Sequence, residues 1–221
     1  MHPHLDVRIV DIRPLTPTVK EFWLERLDGA PYAFTPGQHL MYWSGQKYAE
    51  FSLASSPTMP AVVAIAVRKL GQASSKLHAL RVGDVIAVTP PKGEAFRTSH
   101  LAGRELWFVA GGIGLAGLKA QLHAVAAAPA EFPGRHKLFY GLKDRAELLW
   151  PDELRAWASW LDVEVTGDGR HLLGDLLHEG LGGHGQVTAL ICGPNAFYEP
   201  VRQVLLRVGV PATHILTNIW E

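Results

Sequence analysis

The hydrophobic pattern changes near residue 100, and this change divides the chain into two parts. From Asp6 to about Arg97, short runs rich in β-branched and aromatic residues alternate with turn signals such as Thr35-Pro36-Gly37. This pattern predicts short strands joined by turns. We expect strands at 7–12, 16–24, 38–43, 48–55, 61–67 and 85–88, and a short helix at 74–80. Strands at this spacing favour a six-stranded antiparallel β-barrel.

From about His100 the pattern alternates between strand and helix. Strands are predicted at 106–110, 137–141, 162–166, 187–192 and 214–217, and helices at 115–125, 151–159, 172–177 and 196–208. Such alternation predicts an α/β domain whose five-stranded parallel sheet is covered by helices on both faces. We therefore expect two domains, residues 1–99 and residues 100–221.

A glycine-rich turn joins the first strand of the second half to its first helix. Gly111, Gly112, Gly114 and Gly117 fall within seven residues. Glycine admits positive φ and close approach of a ligand, and the first amides of a helix lack intrahelical acceptors. The turn therefore favours an anion such as a pyrophosphate. A purely structural turn is the alternative, because residues 135–141 lack the acidic residue expected about 20 positions further on.

Composition argues against several classes of binding partner and of metal or redox site. The 21 basic and 21 acidic residues give a net charge of +0, which offers no electrostatic basis for binding nucleic acid or an anionic membrane. The single cysteine, Cys192, excludes an internal disulfide and a four-thiolate iron–sulfur cluster held by this chain alone. The scattered histidines predict no metal site. No apolar run reaches the roughly 18 residues of a membrane span, and the first residues lack a secretory signal, so we expect a cytoplasmic protein.

Five short motifs occur in order along nearly the whole chain. They are Phe34-Thr35-Pro36-Gly37-Gln38, Phe51-Ser52-Leu53-Ala54-Ser55-Ser56-Pro57, Gly71-Gln72-Ala73-Ser74, Gly111-Gly112-Ile113-Gly114 and Cys192-Gly193-Pro194. Each motif is weak alone, but their order and separation resemble the ferredoxin–NADP reductase superfamily. Pro91-Lys92-Gly93-Glu94-Ala95-Phe96 is similar to a segment of small NAD(P)H:flavin reductases. The resemblance implies a flavin-binding barrel over 1–99 and an NAD(P)-binding domain over 100–221.

The second motif has a physical interpretation of its own. Alternation along a strand places Phe51 and Leu53 on one face and Ser52 on the other, so a ring and a hydroxyl can both address a flat polar ligand. A core phenylalanine on an ordinary strand is the alternative. The resemblance implies that Phe51 stacks on an isoalloxazine and that Ser52 bonds near its N5. The implied flavin site comprises Phe51, Ser52, Leu53, Ala54, Ser55, Val67, Arg68, Gly71, Gln72, Ala73 and Ser74.

Two features of this implied site concern phosphate. The amides of 71–74 and the Ser74 hydroxyl form a candidate phosphate cradle, although simple N-capping of the helix is a competing interpretation. The family usually has an arginine where this chain has Ala49. Loss of that bidentate donor weakens phosphate binding and leaves FMN open beside the expected FAD. Lys47, Arg68 and Lys69 are candidates to compensate.

The resemblance implies a nucleotide site formed by Gly111, Gly112, Ile113, Gly114, Thr166, Asp168, Cys192, Gly193 and Pro194. Cys192 would lie against the nicotinamide C4, although a lone cysteine is more often a buried apolar residue. Asp168 would repel a 2′-phosphate, which favours NADH over NADPH despite the nearby Arg170. Trp220 would cover the flavin face, or it closes the edge of the core.

The resemblance therefore implies a flavin-dependent NAD(P)H oxidoreductase with Ser52 and Cys192 as catalytic residues. Hydride would pass from the nicotinamide dinucleotide to bound flavin, and electrons would continue to a separate redox protein or subunit. Two alternatives stay open. In the first, the chain is a reductase that releases reduced free flavin. In the second, it is a non-catalytic flavin-binding module that senses redox state.

Overall fold

The computed structural model of the chain describes residues 4–94, 96–167, 169–178 and 187–220. Internal contacts divide the chain into two units. The first consists of Met1–Arg97 together with Lys119–Ala124, and the second of Thr98–Leu118 together with Val125–Glu221. The short segment Lys119–Ala124 joins the first unit although it lies far along the chain.

The first unit is built on an antiparallel sheet of six strands in the order β4-β3-β6-β1-β2-β5. The strands are β1 (Leu5–Pro14), β2 (Val19–Arg26), β3 (His39–Trp43), β4 (Tyr48–Ser52), β5 (Val62–Arg68) and β6 (Val85–Val88). A bridge between Leu53 and Ile65 brings the two edge strands together, which curls the sheet into a half-barrel. The predicted six-stranded antiparallel architecture is confirmed.

The interior of this half-barrel holds the apolar residues that alternate along its strands. Because successive side chains point to opposite faces, each strand contributes every second residue to the core. Fully buried members include Ile9, Phe22, Leu24, Leu40, Leu53 and Ile65. Strand β4 ends at Ser52, three residues before the predicted end, because Leu53 turns away from β3 to meet β5. Helix α1 (Gln72–His78) follows β5.

The second unit contains a parallel sheet of five strands in the order β11-β10-β7-β8-β9. The strands are β7 (Glu105–Gly111), β8 (His136–Gly141), β9 (Leu161–Thr166), β10 (Val187–Pro194) and β11 (Ile215–Trp220). Strands β7 and β10 are buried along almost their whole length, as is typical of a sheet covered on both faces. The predicted five-stranded parallel sheet is confirmed.

The described residues contain five further α-helices: α2 (Thr98–Leu101), α3 (Leu115–Ala127), α4 (Pro151–Ala156), α5 (Gly169–His178) and α6 (Asn195–Arg207). One face of the parallel sheet packs on α5 and α6, through residues such as Val109, Ile191, Leu172 and Val201. The strand order reverses between β7 and β10. In open α/β sheets this reversal point opens a crevice at the carboxyl ends of the strands.

Candidate functional site

The first part of the candidate site lies at the carboxyl end of β4. The antiparallel register places Phe51 opposite Leu40 of β3, and Ser52 opposite His39. Phe51 is half-buried and packs against the half-barrel core. Ser52 lies on the opposite face of the strand, because the side chains of neighbouring residues alternate. The predicted alternation of ring and hydroxyl is therefore present.

Two serine hydroxyls in this segment are buried without a hydrogen-bond partner among the described residues. They are the Oγ atoms of Ser52 and Ser55, residues that are 3% and 2% exposed. An unsatisfied buried hydroxyl is costly and therefore calls for a partner. Leu53 and Ala54 lie between these two serines, and their amides already donate to the carbonyls of Gln38 and Ala64 respectively. The hydroxyls are thus the groups of this segment that fit the polar edge of a flavin.

His39 is a neighbour of Ser52 that the sequence did not indicate. It forms paired backbone hydrogen bonds with Lys92, so Ser52, His39 and Lys92 lie side by side across the sheet. Its Nε2 lies 3.9 Å from the Glu50 carboxylate. Burial lowers the pKa of His39, Lys92 lowers it further, and Glu50 acts in the opposite direction. An imidazole of lowered pKa and two charged groups therefore flank the Ser52 position.

The start of α1 shows how the Ser74 hydroxyl is used. Its Oγ accepts hydrogen bonds from the amides of Leu70 and Gly71 at 3.0 and 2.9 Å, and it donates to the Gly71 carbonyl. Its hydrogen bonds are thus those of a local cap, as in the competing interpretation. The amides of Gln72 and Ala73 in the first helical turn have no intrahelical acceptor, and they are the groups suited to a phosphate.

The other residues predicted to lie near the flavin differ in how deeply they are buried. Ala49 is half-buried opposite Tyr42 and packs against the half-barrel core. Val67 is fully buried, and its carbonyl lies 2.8 Å from Nε2 of His78. Arg68 is half-buried at the end of β5, with its Nε shielded from solvent. Of the three candidate replacements for the missing arginine, Arg68 is therefore the one that the protein partly encloses, whereas Lys47 and Lys69 are exposed.

The glycine-rich turn of the second unit is explained partly by packing inside the protein. Gly112 has a φ of +55°, a conformation that favours glycine. A Cβ on Gly114 would lie 2.2 Å from the carbonyl oxygen of Cys192, and one on Gly111 would lie 3.0 Å from the ring of Phe197. Gly114 is therefore required by the protein's own backbone, whereas a Cβ on Gly111 would need the Phe197 ring to shift. The turn leads through residues 112–114 directly into α3.

Cys192 lies on β10, paired with Ala110 of β7 and Asn218 of β11. Its side chain is fully buried, and burial raises the pKa of its thiol far above the usual range. The Gly117 amide, on α3, is the backbone group that faces the sulfur. Cys192 is thus a neutral thiol held under the start of α3, and not a nucleophile.

The structure leaves two predicted contacts open. Asp168 lies outside the described residues, and so does the side chain of Trp220. The backbone of Trp220 is described, and it pairs with Pro194 at the carboxyl end of β10. Thr166 ends β9, and its carbonyl accepts a hydrogen bond from the amide of Leu142.

Phe197 is a second residue of the candidate site that the sequence did not indicate. It lies in the first turn of α6, with its ring against Gly111 and Gly193. The signal available in the sequence was the position of Phe197, three residues after Pro194. This position places its side chain above the end of β10. Among the described residues, no group of His, Cys, Asp and Glu could hold a metal ion. No described helix is long and apolar enough to cross a membrane.

Comparison with known proteins gives relatives over most of the chain, although no family model matches. The Sulfhydrogenase 2 subunit gamma of Pyrococcus furiosus is 32% identical over 162 residues, which cover 70% of this chain and 54% of the relative. The chain therefore spans about half the length of that protein. Ferredoxin–NADP reductase B of Sorangium cellulosum is 28% identical, with 98% of this chain and 97% of the relative covered.

Solved structures agree with these relatives. The FAD/NAD-binding domain of nitric oxide dioxygenase from Vibrio cholerae superposes with a TM-score of 0.83 at 19% identity, over 98% of both chains. Such a likeness shows the fold, and it extends over both sheets. The resemblance stated from the motifs is confirmed, because the relatives and structural neighbours of the chain are ferredoxin–NADP reductase-like FAD/NAD-binding proteins.

Proposed function

We propose that the chain is an NAD(P)H-dependent flavin oxidoreductase that passes electrons to a separate redox protein or subunit. The observation that carries this proposal is the pair of buried serine hydroxyls, Ser52 and Ser55, which have no partner among the described residues and follow Phe51. A flavin ring offers polar edge atoms to the hydroxyls and a flat face to Phe51. When bound, the flavin supplies the chemistry of accepting two electrons together and releasing them singly.

The residues of the first unit would hold this cofactor. Ser52 donates a hydrogen bond to the ring edge, and Ser55 supplies a second polar contact beyond it. Phe51 provides an apolar surface that excludes water from one side of the ring. The amides of Gln72 and Ala73 face the phosphate, with the half-buried Arg68 as a candidate cation. We propose that these groups lie in a flavin domain formed by residues 1–99.

The residues of the second unit would hold the dinucleotide in a domain formed by residues 100–221. Gly112 and Gly114 shape the turn whose amides bind the pyrophosphate. The neutral Cys192 thiol contributes shape without charge next to the nicotinamide. Asp168 selects NADH, since a carboxylate accepts from ribose hydroxyls and repels a 2′-phosphate. The function of all these groups is to position the dinucleotide and exclude water.

The proposed acceptor is another protein. Cys192 is the only cysteine, so this chain alone cannot carry a four-thiolate iron–sulfur cluster. One relative is a subunit of a larger enzyme, and another is a ferredoxin–NADP reductase. These names support a ferredoxin-type protein or a partner subunit as the acceptor.

Ala49 favours a second candidate function. Without a bidentate cation at this position, a flavin phosphate is held less tightly. Weak retention suits an enzyme that takes up free flavin and releases it in reduced form. In that case flavin is a substrate and the acceptor is whatever consumes reduced flavin.

Gel filtration of the purified protein after incubation with FAD tests these proposals. A protein that keeps its yellow colour and is bleached by NADH supports the electron-transfer function. A colourless protein that oxidises NADH only when free flavin is added supports the flavin reductase. A protein that binds flavin but is bleached by neither NADH nor NADPH contradicts both and supports a sensor.

A further inference from the structure

The crevice at the reversal point of the parallel sheet has two sides. Strand β7 leads into α3, whereas β10 leads into α6. Along β10, the thiol of Cys192 faces the Gly117 amide on α3, whereas Gly193, the next residue, faces α6. A ligand that enters this crevice therefore meets either the start of α3 or the start of α6.

The aromatic ring of Phe197 fills the α6 side. A Cβ on Gly193 would lie 2.7 Å from the ring, and one on Gly111 would lie 3.0 Å from it. The first distance is shorter than real Cβ contacts and the second is tighter than most of them, so the two glycines leave room for the ring at the ends of β7 and β10. The ring is half-buried, and residues 194–196 beside it are exposed.

We propose that Phe197 is a positioning residue that forms the floor of the nucleotide cleft. This inference rests on the proposed function, because it assumes that a nicotinamide dinucleotide binds in the crevice. The ring occupies the space on the α6 side and gives the ligand a flat apolar surface. The dinucleotide is thereby confined to the α3 side, where the turn at Gly112–Gly114 presents its amides.

Substitution of Phe197 separates this role from simple core packing. Phe197→Ala opens space on the α6 side, so the dissociation constant for NAD⁺ should rise by about fivefold. Calorimetry with NAD⁺ measures binding alone, because NAD⁺ does not reduce the oxidised flavin. In steady-state assays the KM for NADH should rise by a similar factor while kcat changes by less than about twofold.

Leu206→Ala is the matched control. Leu206 lies on the same helix and packs against the same core as Phe197, but at the other end of the helix. This variant should lose thermal stability without a change in NAD⁺ affinity. Phe197→Met retains most of the side-chain volume without a flat ring, and it serves if the alanine variant does not fold. Its NAD⁺ affinity should also fall.

Three outcomes are possible. Weaker NAD⁺ binding in the Phe197 variants and unchanged binding in Leu206→Ala support the proposal. If the wild type binds NAD⁺ and the Phe197 variants bind it equally tightly, Phe197 only fills the core and the proposal is wrong, while the proposed function stands. If the wild type binds neither NAD⁺ nor NADP⁺, the proposed function fails and this inference fails with it.

Discussion

Gly114 lies so close to Cys192 that a Cβ on the glycine would be 2.2 Å from the cysteine carbonyl oxygen. The atoms that this Cβ would meet belong to the backbone, which cannot move aside as a flexible side chain can. The glycine that the sequence associates with a nucleotide is therefore also required by the fold without any ligand.

Gly114→Ala should consequently destabilise the protein in the absence of nucleotide. Overpacking of this kind lowers the free energy of unfolding by about 1–3 kcal/mol. Urea denaturation measures the change. Gly174→Ala is the control, because among the described residues a Cβ at that position meets no atom within 4 Å outside its own stretch of helix. Equal stability of Gly114→Ala and the wild type would show that the turn can open without cost.

Ser52→Ala should separate stability from cofactor binding. The hydroxyl is buried without a partner among the described residues, so its removal should leave the free energy of unfolding of the flavin-free protein unchanged or slightly higher. Flavin affinity should fall by about tenfold, since a hydrogen bond to the ring is lost. Fluorescence titration with FAD measures the affinity.

Thr188→Val is the matched control for this variant. The Thr188 hydroxyl is also buried without a partner among the residues that the structure describes, but it lies on β10. Its removal should leave flavin affinity unchanged. An equal loss of affinity in both variants would contradict a specific role for Ser52.

Ala49→Arg should restore the phosphate contact that is usual in the family. A charge-assisted bidentate hydrogen bond is worth about 1.5–3 kcal/mol, so the affinity for FMN and FAD should rise by about tenfold or more. Riboflavin, which has no phosphate, should bind with unchanged affinity. If riboflavin gains as much as FMN, the arginine acts on the ring or on the fold, and the explanation from phosphate is wrong.

Acid should destabilise the protein through His136. The ring is buried, its Nδ1 lies 3.0 Å from the Leu106 amide, and burial lowers its pKa below the usual 6.5. The unfolded chain therefore takes up the proton first as the pH falls, and the free energy of unfolding decreases below about pH 6.5. Because burial also lowers the pKa of His39 and of His78, each adds in the same direction.

Urea denaturation at several pH values measures this effect. His136→Gln should show a weaker decrease in stability between pH 7 and pH 5 than the wild type, whereas the exposed His100→Gln should show the same decrease. If His136→Gln retains the full pH dependence, the source lies in other groups.

Cys192 should resist thiol reagents in the folded protein. The side chain is fully buried and burial raises the pKa of the thiol, so neither access nor ionisation favours the reaction. A colorimetric thiol assay at pH 8 should detect no reaction before denaturant is added and one thiol per chain afterwards. Rapid modification of the folded protein would show that the crevice opens to solvent.

The sequence predicted the architecture well because its main signals are local. Runs of apolar residues such as 106–110 and 187–192 fall inside strands β7 and β10, and the alternation at Phe51 and Ser52 places them on opposite faces. Each of these features depends on a few residues that are neighbours in the sequence.

What the sequence could not indicate depends on residues that are distant along the chain. His39 adjoins Ser52 only through the register of β3 on β4, and Gly111 meets Phe197 only because β7 lies beside β10. The ion pair between Glu21 and Lys119, at 3.2 Å, joins residues 98 positions apart, and both are almost fully buried. Such pairs are set by tertiary packing, so no local pattern reveals them.

An anaerobic titration of the FAD-incubated protein with NADH tests the central claim most directly. We predict that the visible absorption of the flavin falls in proportion to the NADH added, and that Ser52→Ala requires more FAD to give the same change. A flavin spectrum that stays constant with excess NADH and with excess NADPH would contradict the assignment as an oxidoreductase.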